Sequence, residues 1–230
     1  MNRSTINTLI QDALQFFDQH QFQLPPWARW TPADWCRHGT ECDEIRRHLL
    51  GWDLTDFGSG EFDKIGLLLF TIRNGNLKNP DSRKPYAEKI MIVRERQVTP
   101  MHFHWNKMED IINRGGGELV LKLYHAAPAD EHQLGPQAFA VSVDGVRRAC
   151  RTGEIIRLRP GESITLEPYV YHTFWAEGGM TLVGEVSMVN DDTTDNCFLE
   201  ACGRFPAITE DVPAAFCLCT EYPAATANHG

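Results

Sequence analysis

Two histidines and a glutamate lie close together near the middle of the chain. His102 and His104 are separated by one residue, and Glu109 follows after four more. If residues 101–105 are extended, the two-residue period of a strand places both imidazoles on one face, where they can bind the same ion. A tight reversal before Glu109 would bring its carboxylate back beside the two rings. This spacing predicts a metal site.

A later histidine, His172, is the candidate for a fourth ligand. It follows Pro168 on a stretch that we predict to be a strand and that could pair with residues 101–105 in a closed barrel. Three neutral nitrogen donors and one carboxylate suit a borderline divalent ion such as Mn, Fe, Co, Ni or Zn. In six-coordinate geometry they leave two adjacent positions open. An open metal site indicates catalysis.

Helices are predicted before this metal site. Over residues 6–17 the apolar side chains recur at helical spacing, and Ser4 or Thr5 could cap the helix. Further on, Thr31 and Pro32 have the order of an N-cap followed by a first helical residue. We therefore expect the first ~50 residues to be rich in α-helix.

Short β-prone stretches follow the helices. They are residues 66–72, 88–95, 118–124, 139–143, 146–150, 163–166, 172–176 and 180–188. The turn signals between them are Asn74-Gly75, Gly115 to Gly117, Asp144-Gly145, Pro160-Gly161 and Gly178-Gly179. Short strands separated by such turns are typical of a sandwich or a barrel. The sequence predicts a mainly β fold, with helices followed by one β-barrel.

Length and composition limit the alternatives. At 230 residues the chain is expected to form one domain, residues 1–230, in which residues 1–60 are a helical extension packed on the barrel. A hydrophobic content of 42% is enough for a folded core. The net charge of -9 repels a phosphate backbone, so we expect no nucleic-acid partner.

We expect neither a membrane span nor a secretion signal. The longest apolar run, residues 65–70, is far shorter than a bilayer requires, and residues 1–17 lack a continuous apolar centre. Seven cysteines without a Cys-x-x-Cys pair argue against a disulfide scaffold and against a structural zinc site. Reduced thiols favour a cytoplasmic location.

The metal-site pattern resembles that of a known family. His102-x-His104-x4-Glu109-x6-Gly116, with Pro160-Gly161 and His172, is similar to the two metal-binding motifs of cupins, which implies a jelly-roll β-barrel. The strings HFHWNKMEDIINRGGGELVLKLY, LRPGESITLEPYVYHTFWAEGG and GEVSMVNDDTTDNCFLE resemble D-lyxose isomerases, which are cupin sugar isomerases. This resemblance covers most of the chain, including LPPWARWTPADW. In the second motif, residues 167–171 replace the usual Pro-x-Gly.

The resemblance implies a ligand set and a reaction. The four ligands would be His102, His104, Glu109 and His172, and the ion would be manganese, with Co, Zn, Fe or Ni as alternatives. The enzyme would interconvert D-lyxose and D-xylulose, with D-mannose and D-fructose as further substrates, and would be a homodimer. The hydrogen moves between C1 and C2, either as a proton through a base or as a metal-assisted hydride.

Four residues are candidates for catalysis. Lys107 lies within the metal loop, and Lys89 lies on the strand before it, so either ammonium could bind a substrate oxygen or balance developing charge. A solvated surface lysine is the alternative for each. Glu200 and Arg204 follow the acidic stretch 191–196, which could be a lid over the sugar or a plain solvated loop.

Two other functions compete with isomerisation. An Fe(II) dioxygenase could use the same three-histidine, one-carboxylate ligand set to bind substrate and O₂. A sugar-sensing module would need an effector domain, for which the chain has no basic helix-turn-helix pattern. The other six histidines have no ligand spacing and are predicted to be structural or surface residues: His20, His38, His48, His125, His132 and His229.

Overall fold

The computed structural model describes residues 1–79, 82–189, 191, 194–203 and 206–225. Its helices all lie before residue 48, as the sequence predicts: α1 (Arg3–Gln19), α2 (Pro32–Trp35) and α3 (Asp43–Arg47), with 3-10 turns at Pro26–Arg29 and Thr40–Cys42. No helix among the described residues combines the length and the apolar character that a membrane span needs.

Helix α1 packs on the outside of the sheet. Its residues Ile6, Ile10 and Phe17 are fully buried and share one hydrophobic cluster with Phe70 and Ile90 of two strands. Each such side chain contributes about 1.5–3 kcal/mol when it is buried completely. The periodicity over residues 6–17 was therefore a reliable signal of the helix and of its buried face.

The start of α1 differs from the prediction. The N-cap is Asn2, without a side-chain cap, and both candidate caps lie inside the helix. The hydroxyl of Ser4 donates instead to Asp211, 2.6 Å away. The buried guanidinium of Arg3 forms ion pairs with Glu210 and Glu221. The C-terminal segment thus satisfies the polar groups at the start of the helix.

In α2, by contrast, the predicted cap at Thr31 is present as a capping box with Asp34.

The strands form one antiparallel sheet that curls around a core. In the described residues its main order is β1-β2-β3-β11-β5-β10-β7-β8, while β4 pairs with β11 and β12, and both β6 and β9 pair with β5. The bounds are β1 Gly51–Thr55, β2 Leu67–Arg73, β3 Tyr86–Val93, β4 Thr99–His104, β5 Glu109–Ala127, β6 Asp130–Leu134, β7 Phe139–Val143, β8 Val146–Cys150, β9 Glu154–Leu158, β10 Ser163–Leu166, β11 Val170–Met188 and β12 Asn196–Phe198.

Two of the predicted turns are wrong. Strands β5 and β11 run through the glycines at 115–117 and 178–179 and stay paired from Val170–His125 to Ser187–Glu109. The register shifts between residues 177 and 181 and again between 182 and 183. Gly116, with φ 91°, absorbs this irregularity at a position where a Cβ would lie 2.2 Å from the carbonyl oxygen of Met180. Glycine therefore bends the strand here without ending it.

Strand β11 is the element that assembles the interior. It pairs with β3, β4 and β5, so residues far apart in sequence reach one side of the sheet. Along β4 the residues at 102 and 104 face inward while Phe103 packs in a separate cluster, as the two-residue period predicts. The division into one cupin domain with an extension over residues 1–60 stays a prediction; the helices end at Arg47 and β1 begins at Gly51.

Candidate metal centre and active site

Three imidazoles meet inside the barrel. Ring nitrogens of His102, His104 and His172 all lie within 4.8 Å of one another, and all three side chains are buried. His172 of β11 is the Cα partner of His102 of β4, which explains why residues 70 positions apart come into contact. The structure therefore brings together the three histidines that the sequence singles out.

Backbone carbonyls orient two of these rings. The Nδ1 atom of His102 lies 2.8 Å from the carbonyl oxygen of Pro100, and that of His172 lies 3.0 Å from the oxygen of Val170. A ring nitrogen that faces a carbonyl oxygen at this distance donates its proton to it, which leaves the Nε2 lone pair available for the cluster. Both rings are thus held in the tautomer that a metal ligand needs.

The carboxylate of Glu109 completes the cluster. Its Oε1 atom lies 3.3 Å from Nε2 of His104 and 3.2 Å from Nε2 of His172. This oxygen is buried and has no hydrogen-bond partner among the described residues. Ligand atoms bound to one ion at ~2.0–2.2 Å lie about 3.0–3.5 Å from one another. The separations and the unpartnered oxygen both fit a divalent ion held by these four residues.

The protonation states favour metal binding. Burial, together with the neighbouring His172 and His104, lowers the pKa of His102 well below its usual value. Burial and the charge of Lys107 likewise lower the pKa of His104. For Glu109, burial opposes ionisation, but Lys107 and His104 outweigh it and hold its pKa well below the usual range. Neutral imidazoles beside a carboxylate are the forms that bind a cation.

Two lysines and a second glutamate extend the cluster into a buried charge network. Nζ of Lys107 lies 2.6 Å from Oε2 of Glu109 and 3.0 Å from Oε1 of Glu185. Nζ of Lys89 lies 3.3 Å from the same oxygen of Glu185. Burial would raise the pKa of Glu185, but Lys107 and Lys89 together lower it. Both lysines are buried, so the surface-lysine alternative is wrong.

The network and the histidines line a cavity of about 340 Å³. Apolar side chains, among them Leu67, Leu69 and Phe198, also line it. The Phe198 ring lies 5.3 Å from the ring of His102. A volume of this size is within the range of small-molecule sites, about 300–1,000 Å³, and such sites combine apolar walls with a few convergent polar groups.

Sequence comparisons identify the relatives of this chain. The family model of D-lyxose isomerase matches residues 1–222. A D-lyxose/D-mannose isomerase of Escherichia coli O157:H7 is 50% identical over 225 residues, which cover 96% of this chain and 98% of that protein. One of Serratia proteamaculans is 48% identical over the same coverage. The chain belongs to the D-lyxose isomerase family. It is an enzyme, an aldose-ketose isomerase.

Solved structures agree on the fold. An L-ribose isomerase of Cellulomonas parahominis superposes with a TM-score of 0.61 at 15% sequence identity, covering 91% of this chain and 98% of that one. The L-ribose isomerase of Acinetobacter sp. DL28 bound to L-ribose gives a TM-score of 0.59 at 14% identity, with the same coverage. The mainly β cupin-type fold with N-terminal helices is confirmed.

One residue of the isomerase cavity was missed by the sequence reasoning. Glu185 is buried in β11 and is the Cα partner of Lys89 in β3. The available signal was alternation: Val183, Glu185 and Ser187 share the buried face, and a charged residue at such a position must have a buried partner. From the sequence alone, residues 180–188 were not paired with another strand, so the buried face of this stretch was not identified.

The structure does not bring all candidate residues of the isomerase to the cavity. Glu200 is exposed and is not among the described residues that line it. Arg204 lies outside the described residues, as do residues 192 and 193 of the acidic stretch. Within that stretch, Asp195 is buried and accepts hydrogen bonds from the backbone N–H groups of Asn106 and Lys107 at 2.8 and 3.0 Å. It therefore fixes the loop between His104 and Glu109.

Proposed function

We propose that this isomerase interconverts D-lyxose and D-xylulose at one divalent metal ion held by His102, His104, Glu109 and His172. The observation that carries the proposal is the unpartnered Oε1 of Glu109, buried between two imidazole nitrogens. The D-lyxose/D-mannose isomerases of the family support the choice of sugar, and D-mannose with D-fructose is the second substrate pair that we propose.

Manganese is the ion that we propose, because mixed nitrogen and carboxylate ligands suit it and because the cupin resemblance implies it. A divalent ion bound there supplies Lewis acidity to the oxygens on C1 and C2 of the sugar. Cobalt, zinc, iron or nickel could replace it, since their preferences for imidazole and carboxylate ligands overlap.

Glu185 is our candidate for the proton carrier between C1 and C2. Its carboxylate lines the same cavity as the histidines, and Lys107 and Lys89 favour its ionised form. An ionised carboxylate can take the proton from C2 and return it to C1. The Ser187 hydroxyl donates to Oε1 of Glu185 at 3.0 Å, which helps to fix the carboxylate.

Lys107 and Lys89 are the proposed partners of this carboxylate. Lys107 bridges Glu109 and Glu185, so it positions a metal ligand and the proton carrier at the same time. Lys89 and Asp53 line the same cavity, and we propose that the Lys89 ammonium donates a hydrogen bond to a sugar hydroxyl there. Glu200 and Arg204 remain candidates on sequence grounds alone.

Family membership favours isomerisation over an Fe(II) dioxygenase, which would need O₂. Turnover in oxygen-free buffer with manganese separates the two, because only the isomerase stays active.

We also propose that the enzyme is a cytoplasmic homodimer without a nucleic-acid or membrane partner, on the basis of the cysteine pattern, the net charge and the family resemblance. Light scattering of the purified protein tests the dimer.

Incubation of the manganese-loaded enzyme with a panel of C5 and C6 aldoses in D₂O tests the function. We expect NMR to show fastest conversion of D-lyxose, with slower conversion of D-mannose. Solvent deuterium at C1 of the ketose would support proton transfer through Glu185, whereas full conversion without deuterium would favour the hydride shift. Failure to convert any aldose would contradict the proposed function.

A further inference from the structure

A second group of metal-type ligands lies outside the catalytic cavity, in the turn between α2 and α3. One donor atom each of His38, Glu41 and Cys42 lies within 4.8 Å of the others. Imidazole, carboxylate and thiolate are all ligands of zinc. None of the three residues lines the catalytic cavity, and the isomerase reaction uses none of them.

Neighbouring groups hold each part of this cluster in place. The His38 ring stacks on Trp30, with centroids 3.9 Å apart and an interplanar angle of 4°. The backbone N–H of Gly39 donates to Oε1 of Glu41 at 2.9 Å. The Arg46 guanidinium donates to the carbonyl oxygens of Gly39 and His38 at 2.7 and 2.9 Å, which fixes the loop that carries the donors. Such outer contacts are what orient the ligands in known metal sites.

The spacing of the nitrogen and oxygen donors is compatible with zinc. Nδ1 of His38 and Oε1 of Glu41 lie 3.3 Å apart and form a long hydrogen bond in the metal-free protein. Nitrogen and oxygen ligands at ~2.0–2.1 Å from a tetrahedral zinc lie about 3.3–3.4 Å apart. The sulfur of Cys42 lies within 4.8 Å of the other two donors, and sulfur and nitrogen ligands of one zinc lie about 3.5 Å apart, so it needs to approach by no more than about 1.3 Å.

Charge and burial complete the argument. A Cys42 thiolate and the Glu41 carboxylate together neutralise one divalent cation, and His38 adds a neutral nitrogen. Cys42 is buried against Trp35 and Cys217, while His38 and Glu41 are 34% and 54% exposed. An ion can therefore enter from solvent and reach a thiol at the bottom of the site.

We propose that His38, Glu41 and Cys42 form a second, structural site for a zinc-type divalent cation, with water at the fourth position. The bound ion would tie the loop after α2 to the start of α3, beside the hydrophobic cluster that contains Trp35, Cys42 and Cys217. The sequence argument against a structural zinc site rested on the lack of a Cys-x-x-Cys pair, and this mixed ligand set has no such pair.

Cobalt titration of the metal-free, full-length protein tests the site. A Co–thiolate bond gives a near-ultraviolet charge-transfer band, and the proposed catalytic ligands include no thiol. Because the proposed barrel site also takes cobalt, we expect the band to be complete by about two cobalt ions per chain, one of them at the thiolate site, and zinc to abolish the band by competition. His172→Ala should keep this band, so the result does not depend on the proposed catalytic function.

Matched variants locate the ligands. Cys42→Ser should abolish the band, and Glu41→Gln and His38→Asn, at an exposed and a partly exposed position, should weaken cobalt binding at least about tenfold. Cys36→Ser and Cys202→Ser control for an exposed neighbouring thiol and for the thiol that lines the catalytic cavity. The absence of a band in the wild-type protein, or a band that survives all three ligand variants, would overturn the proposal.

Discussion

The barrel cluster and the turn cluster contain similar donors in different settings. In both, a histidine nitrogen lies 3.3 Å from a glutamate oxygen. The barrel donors come from three strands, of which β4 and β5 are adjacent in sequence and β11 is distant, and each donor residue is at least nine-tenths buried. The turn donors lie within five consecutive residues; Cys42 is buried, but His38 and Glu41 are partly open to solvent. Setting, rather than ligand type, therefore separates the proposed catalytic site from the proposed structural site.

Burial gives the barrel cluster properties that the turn cluster lacks. Water exclusion strengthens the interactions of Lys107 with Glu109 and Glu185, because the same charges attract more strongly at low effective dielectric. The cavity also leaves room for a ligand beside the donors. In the turn cluster, solvent screens the charge of the glutamate. An ion bound there can stabilise local structure, but the described residues around it do not enclose a space for a sugar.

Loss of a barrel ligand should have the largest effect. We expect His172→Ala, and equally His102→Ala, to lose metal and to reduce turnover by more than about a thousandfold, because Lewis acidity supplies several kcal/mol. Metal analysis by mass spectrometry and a sugar conversion assay measure both. Full metal content and full rate in His172→Ala would contradict the ligand assignment.

Loss of the proposed proton carrier should be nearly as severe. Glu185→Gln keeps the shape of the side chain but removes the base, so kcat should fall about 10²–10⁴-fold while metal content stays at the wild-type level. Glu177→Gln, a partly exposed position on the same strand that does not line the cavity, is the matched control and should not change kcat. Equal kcat in both variants would exclude Glu185 as the carrier.

Removal of the bridging ammonium should give an intermediate effect. Lys107→Ala leaves metal bound but misplaces Glu109 and Glu185, so kcat should fall about 10–100-fold, as for other residues that orient a metal ligand. Two buried carboxylates without their partner should also cost about 3–5 kcal/mol of unfolding free energy. Lys122→Ala, which is not in the cavity, serves as the control in kinetics and urea denaturation.

The barrel histidines should make the metal-free protein sensitive to acid. The folded-state pKa values of His102 and His104 lie below their ordinary value of 6.5, so below that pH the unfolded chain binds protons that the folded chain does not. The free energy of unfolding is therefore highest above about pH 6.5 and falls as pH decreases further. Urea denaturation in chelator at several pH values measures this slope; a rise in stability on acidification would contradict it.

The smallest effect on turnover is expected in the turn cluster. Glu41→Gln should leave kcat and KM within about twofold of the wild type, because substitutions at exposed positions away from the active site usually have small effects. In a His172→Ala background, which lacks the proposed barrel site, Glu41→Gln should shift the increase in melting temperature that zinc produces to at least about tenfold higher zinc. A large loss of kcat in Glu41→Gln would show that the two clusters are not separate in function.

Local patterns in the sequence predicted much of this structure. Strands β7, β8 and β10 were predicted with the observed bounds, since their turn signals are unambiguous. The four metal-site candidates were also found, because three of them lie within eight residues of sequence. The two-residue period of a strand and a short reversal are enough to bring these three residues together.

The parts that were missed depend on pairing between distant strands. Alternation along β11 marks Glu185 as buried, but only the register of β11 with β3 places it opposite Lys89. Asp195 fixes the metal loop across 89 residues of sequence. The glycines at 115–117 were interpreted as a turn because a bulge inside a long strand and a true reversal use the same residue type.

Titration of metal-free enzyme with manganese tests the central claim most directly. Turnover of D-lyxose, measured at each addition, should start near zero, rise in proportion to added manganese and stop rising at about one ion per chain. The same titration of His172→Ala should stay at the starting value. Full turnover in the presence of a strong chelator, before any manganese is added, would contradict a metal-dependent isomerase.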